Sequence, residues 1–233
     1  MPPAVMQQAP APYGPVHSLN EITSSVRFAL REGRRVDTPY THWLLTRCLP
    51  DHVADAVTAL PIAPAKIGDT GGRRETNNDT RVYFGETNRG RYGVVDALAR
   101  AFQSWTMVAA LEAVTGARLE GTSLRMEYCQ DGAGFWLEPH TDIGVKKFTM
   151  LIYLNRDPQA KDWGTDIYAD ARTHVGRAPA GFNTGLIFIP GDSTWHGFQR
   201  RPINGMRRSL IINYVGPEWR NRHELCFPQH PIP

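Results

Sequence analysis

Cysteine is scarce: Cys48, Cys129 and Cys226 are the only three in 233 residues. They are too few and too scattered for a disulfide framework or a cysteine-built zinc site, and a reducing compartment is the default. Long apolar runs are missing too. No stretch of about 18 apolar residues is available to cross a bilayer, and residues 1–16 lack the basic start and apolar run of a secretion signal. A soluble, cytoplasmic protein with no membrane partner is expected. Charge of one sign does not accumulate either, since 26 Lys plus Arg face 23 Asp plus Glu for a net +3. With no dense basic run and no zinc-finger or helix-turn-helix pattern, nucleic acid is not an implied partner. The 41% of apolar residues suits one folded domain, because at this length roughly 70% of the unfolded surface can be buried.

Residues 1–17 are expected to be a flexible tail, with prolines at Pro2, Pro3, Pro10, Pro12 and Pro15. Residues 18–233 read as a single domain: helical support over about 18–120, a β core over about 121–215 and a C-terminal extension over 216–233. Leu49-Pro50-Asp51 followed by HVADAVTAL predicts a short amphipathic helix capped by Asp51. Leu98, Phe102, Trp105, Val108, Leu111 and Val114 recur at helical spacing, which predicts one helix from about Val94 to Val114 packed on a sheet. Between them, Gly71 to Gly93 is rich in Gly, Asn and Arg and reads as a long surface loop or hairpin. Its arginines, Arg73, Arg74, Arg81, Arg89 and Arg91, are ordinarily a solvated face; the alternative is a lid over an anionic substrate.

After Gly121 come eight strand-like runs: SLRMEYC, WLEPHTD, KFTMLIYLN, TDIYAD, THVGR, GLIFIP, STWHGFQ and RRSLIINYV. They predict a mainly β fold with N-terminal helices, its two four-stranded sheets forming a jelly roll. Alternation along a strand puts His140 and Asp142 of EPHTDIG on one face, able to chelate one ion. His-x-Asp alone is commonplace. His196, in GDSTWHGF after the Pro190-Gly191-Asp192 turn, can complete a two-His, one-carboxylate face. Such a face leaves positions of an octahedral iron(II) open for a chelating co-substrate and dioxygen, whereas a structural zinc site closes all of its positions. Further on, Arg207 and Ser209 share one side of a strand, and a guanidinium beside a hydroxyl suits a bidentate grip on a carboxylate. His17, His42, His52, His174, His223 and His230 read as structural.

With these residues in place, the stretch from about Leu124 to Val215 resembles the iron(II)- and 2-oxoglutarate-dependent oxygenases, in detail their prolyl 4-hydroxylase-like branch. The resemblance rests on Tyr128 with Gly132 and Gly134, His140-x-Asp142, FTMLIYLN, His196 and Gly205-x-Arg207-x-Ser209-Leu210. It implies a double-stranded β-helix, the jelly-roll core, with helices packed on one sheet. His140, Asp142 and His196 match the family's catalytic iron ligands, and Arg207 matches the partner of the distal carboxylate of 2-oxoglutarate. Ser209, Tyr153 and Tyr128 are implied as its neighbours. The cofactor set implied is Fe(II), 2-oxoglutarate and dioxygen, with ascorbate as reductant, and the implied reaction hydroxylates an unactivated C–H with release of succinate and CO2. Asp142 favours hydroxylation, because a related halogenase would carry a small residue there. Trp163-Gly164-Thr165 departs from the Gly-Gly that relatives often show after the YLN strand, so that edge of the pocket is expected to differ. The substrate class stays open among small molecules, amino acids and peptidyl groups, anionic ones included. A small molecule is favoured because no separate peptide-binding domain is evident. Two alternatives remain: a cupin-like metal enzyme that does not use 2-oxoglutarate, against which Gly205-x-Arg207-x-Ser209 speaks, and a non-catalytic jelly-roll binding module. The sequence does not fix the oligomeric state.

Overall fold

Side-chain alternation along three long strands decides how the layers stack. The computed structural model of the chain describes residues 17–64, 71–73 and 81–233; residues 1–16 of the N-terminal tail and Arg74 lie outside them. β4 (Ser123–Asp131), β6 (Lys146–Tyr153) and β11 (Arg207–Val215) run side by side. One face of this trio carries Leu124, Met126, Tyr128, Phe148, Met150, Ile152, Leu210, Ile212 and Tyr214, all buried against the helices. The opposite face carries Cys129, Leu151, Tyr153 and Ile211, buried between the sheets. Burying a side chain of this size contributes roughly 1.5–3 kcal/mol relative to leaving it in water, so a slip of one residue would exchange the two faces at large cost.

The eight strands expected after Gly121 are present. With β5 (Leu137–His140), β7 (Asp166–Tyr168), β8 (His174–Arg177), β9 (Thr184–Phe188) and β10 (His196–Phe198), they divide four and four. The larger sheet has seven strands in the order β1-β2-β9-β6-β11-β4-β3, and the smaller has β5-β10-β7-β8. Its three additional strands come from the N-terminal half: β1 (Arg34–Val36), β2 (His42–Thr46) and β3 (Val82–Tyr83).

Helices cover one face of the larger sheet. α1 (Leu19–Glu32) is capped by Ser18, whose side chain accepts from the Glu21 N–H at 3.3 Å, and it buries Ile22, Val26, Ala29 and Leu30 at helical spacing. α2 (Asp51–Thr58) forms where expected, but Pro50 occupies the cap position and Asp51 sits inside the first turn, where its Oδ1 accepts from Asn183 Nδ2. The stretch read as a loop holds β3 and a short helix, α3 (Glu86–Arg91). The single helix expected from Val94 to Val114 is two, α4 (Gly93–Gln103) and α5 (Trp105–Thr115). The chain breaks at Ser104, whose hydroxyl caps α5 by accepting from the Met107 N–H, and Gly116 ends α5 with φ of 73°. After β11 the extension turns back along β4: Cys226 N–H donates to Leu124 O and Ile232 N–H to Thr122 O. It is anchored, and Trp219, Asn221 and Glu224 become a wall beside the site.

Candidate active site

The smaller sheet brings two histidines together by register alone. His140 ends β5 and His196 begins β10, and the two are cross-strand partners with ring centroids 4.4 Å apart. Each ring is oriented the same way: Nδ1 lies 2.9 Å from a backbone carbonyl two residues earlier, Glu138 O for His140 and Thr194 O for His196. Donation to those carbonyls places the proton on Nδ1 and makes Nε2 the nitrogen with a lone pair to offer. The turn before β10 fixes His196, since Thr194 Oγ1 donates to Gly191 O at 2.8 Å and accepts from the Gly191 N–H at 3.0 Å.

Asp142 follows β5, and the turn into β6 folds Lys146 back onto it. Lys146 Nζ donates to Asp142 Oδ1 at 2.6 Å, and Thr149 Oγ1 is 3.3 Å from Oδ2. The carboxylate is thus anchored by Lys146 at one oxygen, while the Thr149 hydroxyl beside the other also donates to Asn213 Oδ1 at 2.9 Å. One candidate ligand atom each from His140, Asp142 and His196 lies within 4.8 Å of the others. Two neutral imidazoles and one carboxylate converging from one side form a donor set that suits Fe(II) with open positions. Its chemistry and geometry fit the metal that the sequence implies.

A cleft runs from the triad between the sheets, lined by Phe135, Leu151, Thr165, Phe198 and Arg207. Arg207 is buried, and its donors are partly committed: Nε donates to Trp163 O at 2.7 Å and Nη1 pairs with Asp131. The bidentate grip expected of it therefore has to use the remaining N–H groups, with a carboxylate already beside them. Tyr153 shares this face; its hydroxyl donates to Thr165 Oγ1 at 2.7 Å, and burial raises its pKa. Ser209 is buried on the same face, and its hydroxyl has no hydrogen-bond partner among the described residues.

Tyr128 is not in the cleft, which corrects the expectation that it neighbours the co-substrate. It pairs with Leu210 and points into the helix-side core, where burial pushes its phenol up to about 12. The pleat explains the error, because Cys129 and Asp131, one and three residues further along and so in the opposite phase, face the cleft instead. The Trp163 carbonyl takes Arg207 Nε, and a Cβ on Gly164 would stand 1.7 Å from Ala178 O, so only glycine fits there. Of the arginine-rich stretch, Arg81 alone lines the site among the described residues. Arg89 is tied to Asp96 and Cys226 O, Arg91 lies over the Tyr92 ring, and Arg73 is exposed near Glu138. Asp131, Lys146 and Thr149 are site residues that sequence reasoning missed: Asp131 meets Arg207 as its cross-strand partner, and Lys146 and Thr149 come to Asp142 across a turn, and neither contact has a local signature in the sequence.

No protein-family model and no curated protein matches the sequence. Solved structures do match the fold. Prolyl 4-hydroxylases from Phytophthora capsici align with a TM-score of 0.56 at 16% identity, over 93% of this chain and 70% of theirs. The chain has the prolyl 4-hydroxylase fold. An oxidoreductase of the 2OG-Fe(II) oxygenase family from Burkholderia pseudomallei aligns at 0.52 and 15% identity, over 85% of this chain and 91% of its own. A prolyl hydroxylase from Trichoplax adhaerens, solved with a hypoxia inducible factor oxygen degradation domain peptide fragment, aligns at 0.52 and 13%, over 84% and 91%. The double-stranded β-helix of the prolyl 4-hydroxylase fold thus carries the triad and the cleft.

Proposed function

We propose that the protein is an Fe(II)- and 2-oxoglutarate-dependent dioxygenase that hydroxylates an unactivated C–H bond. The observation that carries this reading is the convergence of His140, Asp142 and His196 beside a cleft ending at Arg207, on the prolyl 4-hydroxylase fold. When bound, iron with 2-oxoglutarate and dioxygen supplies the oxidising power for C–H cleavage, releasing succinate and CO2. The protein's part is to bind, orient and keep dry. Hydrogen bonds to Glu138 O and Thr194 O fix the tautomer and plane of the two imidazoles that would hold the metal. Lys146 holds the Asp142 carboxylate in place as the third ligand, with the Thr149 hydroxyl beside its other oxygen.

Arg207 would receive the distal carboxylate of 2-oxoglutarate, with the Ser209 hydroxyl as a further donor. Phe135, Leu137, Leu151, Phe198 and Ile211 wall the cleft with apolar surface that excludes water. The cleft is narrow, about 30 Å³, or roughly one water's share of the liquid, so a five-carbon diacid enters only as lining side chains move aside. The test is aerobic succinate release with Fe(II), 2-oxoglutarate and ascorbate as reductant. Release that requires both iron and 2-oxoglutarate and is lost in His196→Ala supports the reading, and release at an unchanged rate in His196→Ala overturns it. A peptidyl substrate is the second reading, favoured by the peptide bound to the Trichoplax neighbour.

A further inference from the structure

Two pockets meet at the triad, and Arg81 lines both. The larger, about 280 Å³, is bounded by His140, Asp142 and Lys146 on one side and by Arg81, Arg125 and Glu127 on another. The C-terminal extension closes it with Trp219, Asn221 and Glu224. At about 30 Å³ per water in the liquid this is space for roughly nine waters, hence for a molecule of about that many non-hydrogen atoms.

The charges lining this pocket balance, with Arg81, Arg125 and Lys146 against Glu127, Asp142 and Glu224. A divalent metal and a dianionic co-substrate bound together would leave that balance unaltered. The charges are not equally engaged. Arg125 donates from Nε to Glu224 at 2.6 Å and from Nη2 to Glu127 at 3.2 Å, and it lies 4.8 Å from the ring centres of both Tyr83 and Trp219. It is a fixed floor. Arg81 is held differently: among the described residues its hydrogen-bond partner is the Cys129 thiol, a weak acceptor. Burial opposes its charge, but the Cys129 sulfur and the Glu127 and Asp131 carboxylates beside it outweigh burial, and it stays cationic. Among the described residues, most of its N–H donors remain for a ligand. Glu224 accepts from Arg125 and Asn221, which leaves acceptor sites on a carboxylate that offers about four.

We propose, resting on the oxygenase reading, that this pocket is the substrate subsite and that it takes a small zwitterion of free amino-acid size. The substrate carboxylate sits on Arg81 and its ammonium against Glu127 and Glu224. An isolated anion would gain Arg81 while lying beside two buried carboxylates, and an isolated cation would meet the reverse problem; a zwitterion pairs with both. The reaction balances: one oxygen atom of O2 enters the substrate C–H as a hydroxyl, and the other enters the new carboxylate of succinate as CO2 leaves.

The experiment is anaerobic calorimetry on the Fe(II)-loaded full chain, titrated first with 2-oxoglutarate and then with each of the twenty free amino acids, their N-acetyl and their carboxamide derivatives, and a blocked proline-containing tripeptide. Failure of the first titration sinks the oxygenase reading and the proposal with it. If 2-oxoglutarate binds, the expected result is that at least one free amino acid binds and that capping either end weakens it by about tenfold or more, the loss of one charge-assisted contact. Arg81→Gln is expected to weaken that amino acid to a similar degree without weakening its carboxamide further, and Arg81→Lys to restore part of the loss. The proposal alone is overturned if 2-oxoglutarate binds but no free amino acid does, or if capped forms or the tripeptide bind as well as the free compound. It is equally overturned if Arg81→Gln weakens 2-oxoglutarate and spares the amino acid.

Discussion

At Arg207 the co-substrate meets a competitor, because Asp131 already pairs with the guanidinium inside the sandwich. Removing Arg207 and removing Asp131 therefore have opposite effects. Arg207→Ala is expected to raise the KM for 2-oxoglutarate by about tenfold or more with a smaller change in kcat, the mark of lost binding rather than lost chemistry. Asp131→Asn leaves a buried cation uncompensated, a loss on the order of 3–5 kcal/mol, and a dianion should restore part of it. The thermal shift produced by 2-oxoglutarate should accordingly be larger in Asp131→Asn than in the parent protein; an equal or smaller shift would contradict the competition. Tyr128→Phe, altering a residue of the helix-side core, should change that KM by less than about twofold. The contrast shows what was legible. His140, Asp142, His196 and Arg207 could be read from spacing and from a motif. Tyr128 was misplaced because a motif match carries no information about strand phase, and Lys146 was invisible because it reaches Asp142 through a turn.

At the scale of elements, the eight core strands were legible because each is a short apolar run bounded by turn residues, and their period of two survives in the fold. The helical half was less so. The apolar period runs unbroken from Leu98 to Val114, with neither Gly nor Pro to mark the break between α4 and α5. Only the cap at Ser104 marks it, and its oxygen meets the Met107 N–H in the structure. Ser104→Ala should cost about 1 kcal/mol, lowering the Tm by about 2–4 °C for a chain of this size. A calorimetric scan with no change would mean that packing rather than the cap sets the break. α1 was covered only by the expectation of helical support over about 18–120, and β1 and β2 escaped the sequence reading. The two strands owe their place to pairing with one another and with β9, a partner more than a hundred residues away in the chain, and such pairing has no local signature.

At the scale of the whole molecule, the site depends on how the two sheets sit together. The triad's histidines belong to the smaller sheet, whereas Arg207, Ser209 and Tyr153 belong to the larger one. Asp166 of β7 holds the smaller sheet together beside β10: it accepts from Arg177 Nε and Arg201 Nη1, each at 2.8 Å, and from the Gln199 N–H at 2.7 Å. Burial works to raise its pKa, but those donors outweigh burial and hold it below the usual carboxylate value. Because the folded pKa is the lower one, its contribution to stability is complete above the unfolded value of about 3.9 and is lost as pH falls through the folded value. Denaturant unfolding of the parent protein and Asp166→Asn should differ by a constant amount at neutral pH, the difference shrinking below about pH 4. A gap independent of pH would show that the carboxylate's charge is not what holds the strands.

The most direct measurement of whether this molecule is an iron- and 2-oxoglutarate-dependent enzyme is an anaerobic titration of the Fe(II)-loaded protein with 2-oxoglutarate, followed by visible absorption. The expected result is a weak charge-transfer band that grows to saturation, is lost in His196→Ala and needs more 2-oxoglutarate in Arg207→Ala. Iron binding without that band would contradict the reading and leave a cupin-like metal site, and failure to bind iron would make His140, Asp142 and His196 a structural cluster.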